Sequence, residues 1–484
     1  MRKLVGLSLS ISLSASLLVG CGSMVEPEQS ELPSAAKSAE IEETQVAEPE
    51  PLPTFEVSEL RVDSELCKFE DATEDFANRK PWQLINYFPY VVDEPYFLPT
   101  VGEINVGLVL LDWSDKQGTQ EDKDYYLGEL EMMAKWFERV SQGKLKLNFR
   151  TSAEWSTFRG SWQEYKREDN EQGGDEERVP WEQWLLDEAV LASDGVFDYS
   201  DIDLVLLAIP RSGKVYIGSE GQMYSEDTVM TSGTQGMAYD LHEESERGTS
   251  LKTDEGVMGN WIISGTQFQH NDNTSTAWIH WAHELGHMQG FISHMNQPVE
   301  RANAPIFYNS MYGVGLYSDQ WIVTRVEASW TAWVAGWLDD DQIWCVDATD
   351  IEDEIFSLND FRDVNGQIKS LIIRTGDTTG LVIESRKWNS EFDYATKYSE
   401  RGFYDAVVMY NIDSSRWIAD ASMVPLVPRT TAETWDEGKW PPVSASFTDI
   451  YFHEGQSAEF EGLSIEVLSL QESANYIRVK RVDG

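Results

Sequence analysis

The sequence predicts an α+β protein in which a mixed helix-and-strand unit is followed by a small β-sandwich-like unit. Three observations carry this. Apolar runs of strand length at Ile104–Leu111 and Leu204–Ile209 alternate with amphipathic helices over the first two thirds of the chain. A short segment around residue 283 concentrates histidines on a helical pattern. From about residue 346 the texture changes to short alternating runs separated by Gly, Asp and Asn turns. At 484 residues the chain is too long for one ordinary core, so two or three domains are expected.

The N-terminus reads as a targeting segment. Arg2 and Lys3 precede an apolar, serine-studded run from Leu4 to Val19, too short and too polar for a good membrane span. The run ends Leu18-Val19-Gly20-Cys21, which resembles a bacterial lipobox. That resemblance implies a signal peptide over 1–20, a lipidated Cys21 and a membrane anchor in the cell envelope. Gly22 rather than Asp follows the cysteine, which goes with the outer membrane and a protein facing the periplasm or the exterior. The alternative is an ordinary secretory signal cleaved nearby. Residues 21–56, rich in Glu, Pro, Ser and Ala, cannot bury a core and read as a disordered acidic tether.

A first folded domain is expected over 57–345. After the buried strand at Ile104–Leu111, Tyr126, Leu130, Met133, Phe137 and Val140 fall on one helical face, and Gly143 ends that helix. Leu145, Leu147 and Phe149 alternate as a half-exposed strand. A polar stretch at 164–179 reads as a loop, and Trp181, Leu185, Ala189 and Ala192 mark a second helix. Leu204–Ile209 is a second apolar strand, stopped by Pro210; 211–273 reads as long loops with room for a hairpin. Thr324–Leu338 reads as a further helix. The second domain, 346–484, carries strands at Ser370–Arg374, Leu381–Ser385, Ala406–Asn411, Leu463–Leu470 and Tyr476–Val482.

Charge narrows the function. Lys and Arg total 37 against 84 Asp and Glu, a net charge of -47, which would repel nucleic acid and excludes it as a partner. The acid content fits a salt-tolerant extracellular protein and leaves room for bound calcium. Beyond Cys21 the cysteines are Cys67 and Cys345. Outside the cytoplasm they can pair as a disulfide or remain two buried thiols, and the sequence decides neither.

The chemistry concentrates in Trp278–Gly290, which contains His-Glu-x-x-His at His283, Glu284 and His287. Residues i and i+4 of a helix lie one turn apart on one face, so two imidazoles at this spacing can grip one metal ion. Glu284, at the edge of that face, can hold a water and take its proton. The chain has only 7 histidines, and His280, His283, His287 and His294 fall together, so a zinc site outweighs a helix with incidental histidines. Asn273, Thr274 or Ser275 can cap this helix, which should run to about Gly290.

A hydrolytic zinc usually has three protein ligands. One device for the third places a Gly three residues after the second His, so that the chain turns sharply and a residue just beyond swings back; Gly290 stands there. At this point the chain resembles metzincins, specifically immune inhibitor A-type secreted bacterial zinc metallopeptidases. Further matching stretches, in order, are Val106–Trp113, Trp136–Leu145, Asp198–Asp203, the Met-turn-like Asn309–Gly313, Trp333–Leu338 and Val382–Arg386. The resemblance implies a metzincin-like zinc peptidase domain with a mixed sheet and an active-site helix, and calcium as a second ion. The family's third-ligand position falls on Ser293, a poor zinc ligand, so the third ligand is expected to be His294, with Glu327 as the alternative. Met311 would pack beneath the ligands as an apolar floor. Tyr312 or Tyr308 would donate to the oxyanion or simply pack, and His280 would sit outside the ligand set.

The function expected is therefore a membrane-anchored zinc endopeptidase acting on protein or peptide substrates. The alternative is a surface-displayed binding protein with a degenerate metal site, taking a glycan or protein ligand. A weaker third reading is a zinc hydrolase acting on glycans.

Overall fold

Strand β1 (Gly102–Asp112) is the spine of the N-terminal half, and its side chains serve two cores at once. Ile104, Val106, Leu108 and Leu110 face one layer, while Val109 and Leu111 face the other. A strand's period of two makes this division automatic, and a run apolar at nearly every position is what a strand covered on both faces requires. The computed structural model describes residues 52–70, 72, 97–162, 175–211, 235–236, 249–264, 268–269, 275–291, 328–360, 363, 367–387, 405–416, 423–426, 428 and 451–482.

Helix α1 (Gln120–Val140) follows β1 and opens with a capping box, in which Thr119 and Asp122 exchange side-chain-to-backbone hydrogen bonds. It buries Tyr126, Leu130, Met133, Phe137 and Val140, the stripe its spacing foretells. Gln142 and Gly143, both at positive φ, end it and turn the chain into β2 (Leu145–Thr151). The short β3 (Ser156–Thr157) pairs with the end of β1. Helix α2 (Asp175–Ser193) begins within the stretch expected to be a loop up to residue 179.

Strand β4 (Leu204–Ala208) pairs parallel with β1. Beyond it lie β5 (Gln235–Gly236), a hairpin of β6 (Leu251–Lys252) and β7 (Val257–Met258), and β8 (Trp261–Ser264). The sheet order is β2-β1-β4-β8-β5, parallel except for the antiparallel edge strand β5. Within the stretch expected to be loops, β8 is therefore an interior strand. Trp261-Ile262-Ile263 is too short a run to show periodicity, and its neighbours on the sheet are what make it a strand. Helix α1 lies on one face of this sheet and α2 on the other.

The strands β9 (Phe268–Gln269) and β10 (Ser275–Thr276) lead into helix α3 (Trp278–Met288), which joins α1 on its face of the sheet. Helix α4 (Ser329–Val334) is shorter than the expected Thr324–Leu338, of which 324–327 lie outside the described residues. It ends early because Gly336 takes φ 84°, and the Trp337 N–H folds back onto the Ala332 carbonyl.

Strand β11 (Ile343–Asp347) spans the expected boundary at 345/346 and opens the C-terminal half. Next come β12 (Asp353–Leu358), β13 (Ser370–Arg374), β14 (Thr379–Lys387), β15 (Asp405–Asp413), β16 (Met423–Pro425), β17 (Tyr451–Phe452), β18 (Ser457–Phe460), β19 (Leu463–Leu470) and β20 (Asn475–Arg481). One sheet runs β11-β13-β14-β15-β16, with β17 also on β15; the other runs β12-β20-β19-β18. Leu371, Ile383, Val407 and Met409 of the first meet Phe356, Ile465, Val467 and Ile477 of the second in a shared core. The first sheet buries its opposite face too: Ile372, Val382, Val408 and Tyr410 join the core that contains α1, α3 and α4. Residues 55–484 accordingly form one compact unit.

The segment before Cys67 is strapped across the C-terminal half. The Ser58 N–H donates to the Ile355 carbonyl (2.7 Å) and the Val62 N–H to the Cys345 carbonyl (2.9 Å). The Trp344 indole donates to the Leu60 carbonyl, and the Trp330 indole to the Cys67 carbonyl. Cys67 and Cys345 are joined as a disulfide across 278 residues, both buried. Closing so long a loop removes entropy from the unfolded chain, though only as the logarithm of loop length. Cys345→Ser is expected to cost about 2–5 kcal/mol of unfolding free energy by denaturant titration, and a loss below about 1 kcal/mol would show that packing alone holds the strap. Cys21 lies outside the described residues.

Candidate metal centre

The candidate site starts from helix α3, Trp278–Met288. Trp278, Trp281, Ala282, Leu285 and Met288 recur at helical spacing and are all buried, so one face of the helix belongs to the core. That face rests on α1, where Tyr126 stacks on Trp281 with centroids 5.9 Å apart and Trp136 tilts against Trp278 at 6.3 Å. His280, His283, Glu284 and His287 all lie on this helix, with His283 and His287 one turn apart by backbone position. Glu284 is only 1% exposed. A carboxylate in the middle of an apolar helix is costly to bury unless polar groups partner it.

Both ends of α3 are held by other parts of the chain. At the N-terminal end, Glu129 of α1 reaches across, and its Oε2 accepts the N–H groups of Ala277 (2.5 Å) and Trp278 (2.8 Å). Of the residues expected to cap the helix, Asn273 and Thr274 lie outside the described residues, and Ser275 lies in β10. Burial pushes the Glu129 carboxyl up, against the two N–H bonds that lower it, to about 7. The hydroxyl of Tyr125 lies by the same Ala277 N–H; burial, and then the charge of Glu129, raises its titration above the usual tyrosine range.

At the C-terminal end the helix stops as the motif predicts. Gly290 has φ 91°, in the region that favours glycine, and the Phe291 N–H folds back to the Gly286 carbonyl (3.0 Å). The segment 97–100 lies against this turn. The Leu98 N–H donates to the Met288 carbonyl (2.7 Å), and the Gln289 side-chain amide donates to the Pro99 carbonyl (2.9 Å). Trp337 donates to the Thr100 carbonyl and packs its ring against Phe291, tying α3 to the turn after α4.

The structure thus brings His283, Glu284 and His287 onto one helix that ends in a left-handed turn at Gly290. Ser293, His294, Tyr308, Met311, Tyr312 and Glu327 lie outside the described residues. His283 and His287, one turn apart along the α3 backbone, and Glu284 between them are residue types from which a zinc site can be built.

Sequence reasoning passed over Glu129. The signal was present: position 129 falls three after Tyr126 and four before Met133, inside the apolar stripe of α1, where an unpartnered acid does not belong. It also did not single out Asp194, Asp254 and Glu255, whose oxygens lie within 4.8 Å of one another where α2 ends beside the β6–β7 turn. A hydrogen bond to Glu255 and the charges of Asp194 and Glu255 raise Asp254 above the usual carboxylate range. Such surface groups are ordinary on a chain this acidic.

No protein-family model matches the chain, and no curated protein matches it.

Proposed function

We propose that this chain is a zinc-dependent endopeptidase of the metzincin-like, immune inhibitor A type. In this reading it is held in the cell envelope by lipid on Cys21 and acts on protein or peptide substrates outside the cytoplasm. The observation that carries the reading is the motif helix itself. His283, Glu284 and His287 lie on a helix pinned at both ends and broken by a left-handed glycine where the next ligand must fold back. A mixed sheet covering that helix, with one antiparallel edge strand, supports the same assignment.

His283 and His287 would hold the metal, with His294 as the third ligand and Glu327 as its alternative. Bound zinc would polarise the scissile carbonyl and acidify a water towards neutrality. Glu284 would accept a proton from the attacking water and deliver it to the departing amine.

The test is metal content and cleavage on one preparation. The purified chain is expected to carry one zinc, to degrade an unfolded protein such as casein, to stop when zinc is stripped by a chelator and to recover when zinc returns. A protein with no stoichiometric metal and no proteolysis, but with tight glycan or protein binding, would instead be the surface-displayed binding protein.

A further inference from the structure

We propose that Glu129 is a positioning residue of the metal centre: from α1, its carboxylate holds the first N–H groups of α3 and so sets where that helix presents His283 and His287. This rests on the zinc reading above, and adds to it a residue outside the motif.

The argument begins with what a helix start needs. The first N–H groups of a helix have no acceptor within it, and the aligned peptides leave partial positive charge there. The usual remedy is a Ser, Thr, Asp or Asn just before the helix. Here that place is held by Ala277, whose methyl side chain can accept nothing. Glu129 does the work instead, one oxygen taking both N–H groups.

A cap supplied by the helix's own chain would stabilise the helix and leave it free to shift on its neighbours. A cap supplied from α1 fixes its position as well. The other end is fixed independently, by Leu98 and Pro99, about 15 Å away along the axis. His283 lies midway between the two anchors, so a slip at either end moves both histidines relative to whatever completes the site.

The surroundings favour the same role. The nearby cation, Arg211, is already engaged: it bonds Asp122 and Glu121 and lies over the Tyr125 ring. Among the described residues, the hydrogen-bond donors to the Glu129 carboxylate are the N–H groups at the helix N-terminus. Its partial burial beside Tyr125 and Tyr126, which raises its titration towards neutrality, is a cost that a merely decorative acid would not bear.

The experiment uses the full chain and three substitutions. Zinc affinity is measured by competition with a chromophoric chelator. Amide hydrogen exchange of the first turn of α3 is measured in the metal-free protein, with β1 as the control for the fold. Glu129→Gln keeps an oxygen at the same reach, whereas Glu129→Asp keeps the charge but is one methylene short. The expected result is that Glu129→Gln stays within about threefold of wild type while Glu129→Asp and Glu129→Ala weaken zinc binding by about 10–100-fold. First-turn exchange in Glu129→Asp and Glu129→Ala is expected to rise with β1 unchanged. Should Glu129→Ala fail to fold, the comparison of Glu129→Gln with Glu129→Asp decides.

Unchanged affinity in Glu129→Asp and Glu129→Ala overturns the proposal, as does retention in Glu129→Asp with loss in Glu129→Gln, which would mean charge and not position. Weakening in all three together with faster exchange in β1 shows a general loss of fold and also overturns it. A wild-type chain that takes up no zinc instead sinks the peptidase reading. The anchor is then judged by exchange alone, and unchanged first-turn exchange in Glu129→Asp overturns it.

Discussion

Glu284→Gln is expected to leave zinc bound and the fold intact while lowering kcat for peptide hydrolysis by about 10²–10⁴-fold, the range a general base contributes. The substitution suits its purpose because Glu284 is buried inside α3, where a change of volume would disturb Trp281, Leu285 and the α1 face. Glutamine has the same shape and retains one acceptor oxygen. What it lacks is the ability to take a proton from the attacking water. The loss should therefore fall on kcat with KM little changed, the pattern of an interaction needed only on the way to the transition state. Zinc content and thermal unfolding, measured on the same sample, separate this from collapse of the site. A variant that still degrades casein at the wild-type rate would remove Glu284 from the role of base.

Arg386→Met is expected to destabilise the chain by about 3–5 kcal/mol, read from denaturant unfolding. Glu384 and Arg386 sit two apart on β14, hence on the same face of the sheet, and are 0% and 4% exposed. The Arg386 guanidinium donates to Glu384 Oε1 through Nε (2.6 Å) and through a terminal nitrogen as well. The other oxygen, Oε2, accepts the Ser329 N–H at the start of α4 (2.7 Å) and the Tyr410 hydroxyl (3.4 Å). Burial works against the charge on Arg386, but Glu384 outweighs it and keeps the guanidinium protonated. Methionine fills much of the same space but leaves the Glu384 carboxylate buried without its guanidinium partner. Adding Glu384→Gln to Arg386→Met should recover much of the loss, because an uncompensated charge, not a missing attraction, dominates the cost. If the single variant unfolds like wild type, or if the double variant is worse by the full sum, the pair is not coupled in this way.

Glu384 and Glu129 follow one design. Each of the short helices α3 and α4 begins at an alanine with no side-chain cap, Ala277 and Ala328, and each takes its N-terminal acceptor from a carboxylate elsewhere in the fold.

How much could be read in advance differs by element. The strands at Ser370–Arg374 and Leu463–Leu470 have the bounds their alternation gives, and α1 buries the stripe its spacing marks. Trp261–Ser264 is not legible as a strand because four residues hold too little pattern, although the folded sheet makes them an interior strand. The end of α4 was misplaced because apolar residues continue through Trp337, and the left-handed turn at Gly336 overrides them.

The motif was fully legible. His283, Glu284 and His287 need only the geometry of a single helix, and Gly290 needs only its missing side chain, so the eight residues from His283 to Gly290 contain the information. The partner of the helix start is another matter: Glu129 is 148 residues from Ala277, and Cys67 is 278 residues from Cys345. Periodicity and spacing act over a turn or a pleat, whereas pairings like these arise only when distant segments are packed against the same sheet. Local composition therefore set the chemistry carried by the helix, and the packed core decided where that helix is held and by what.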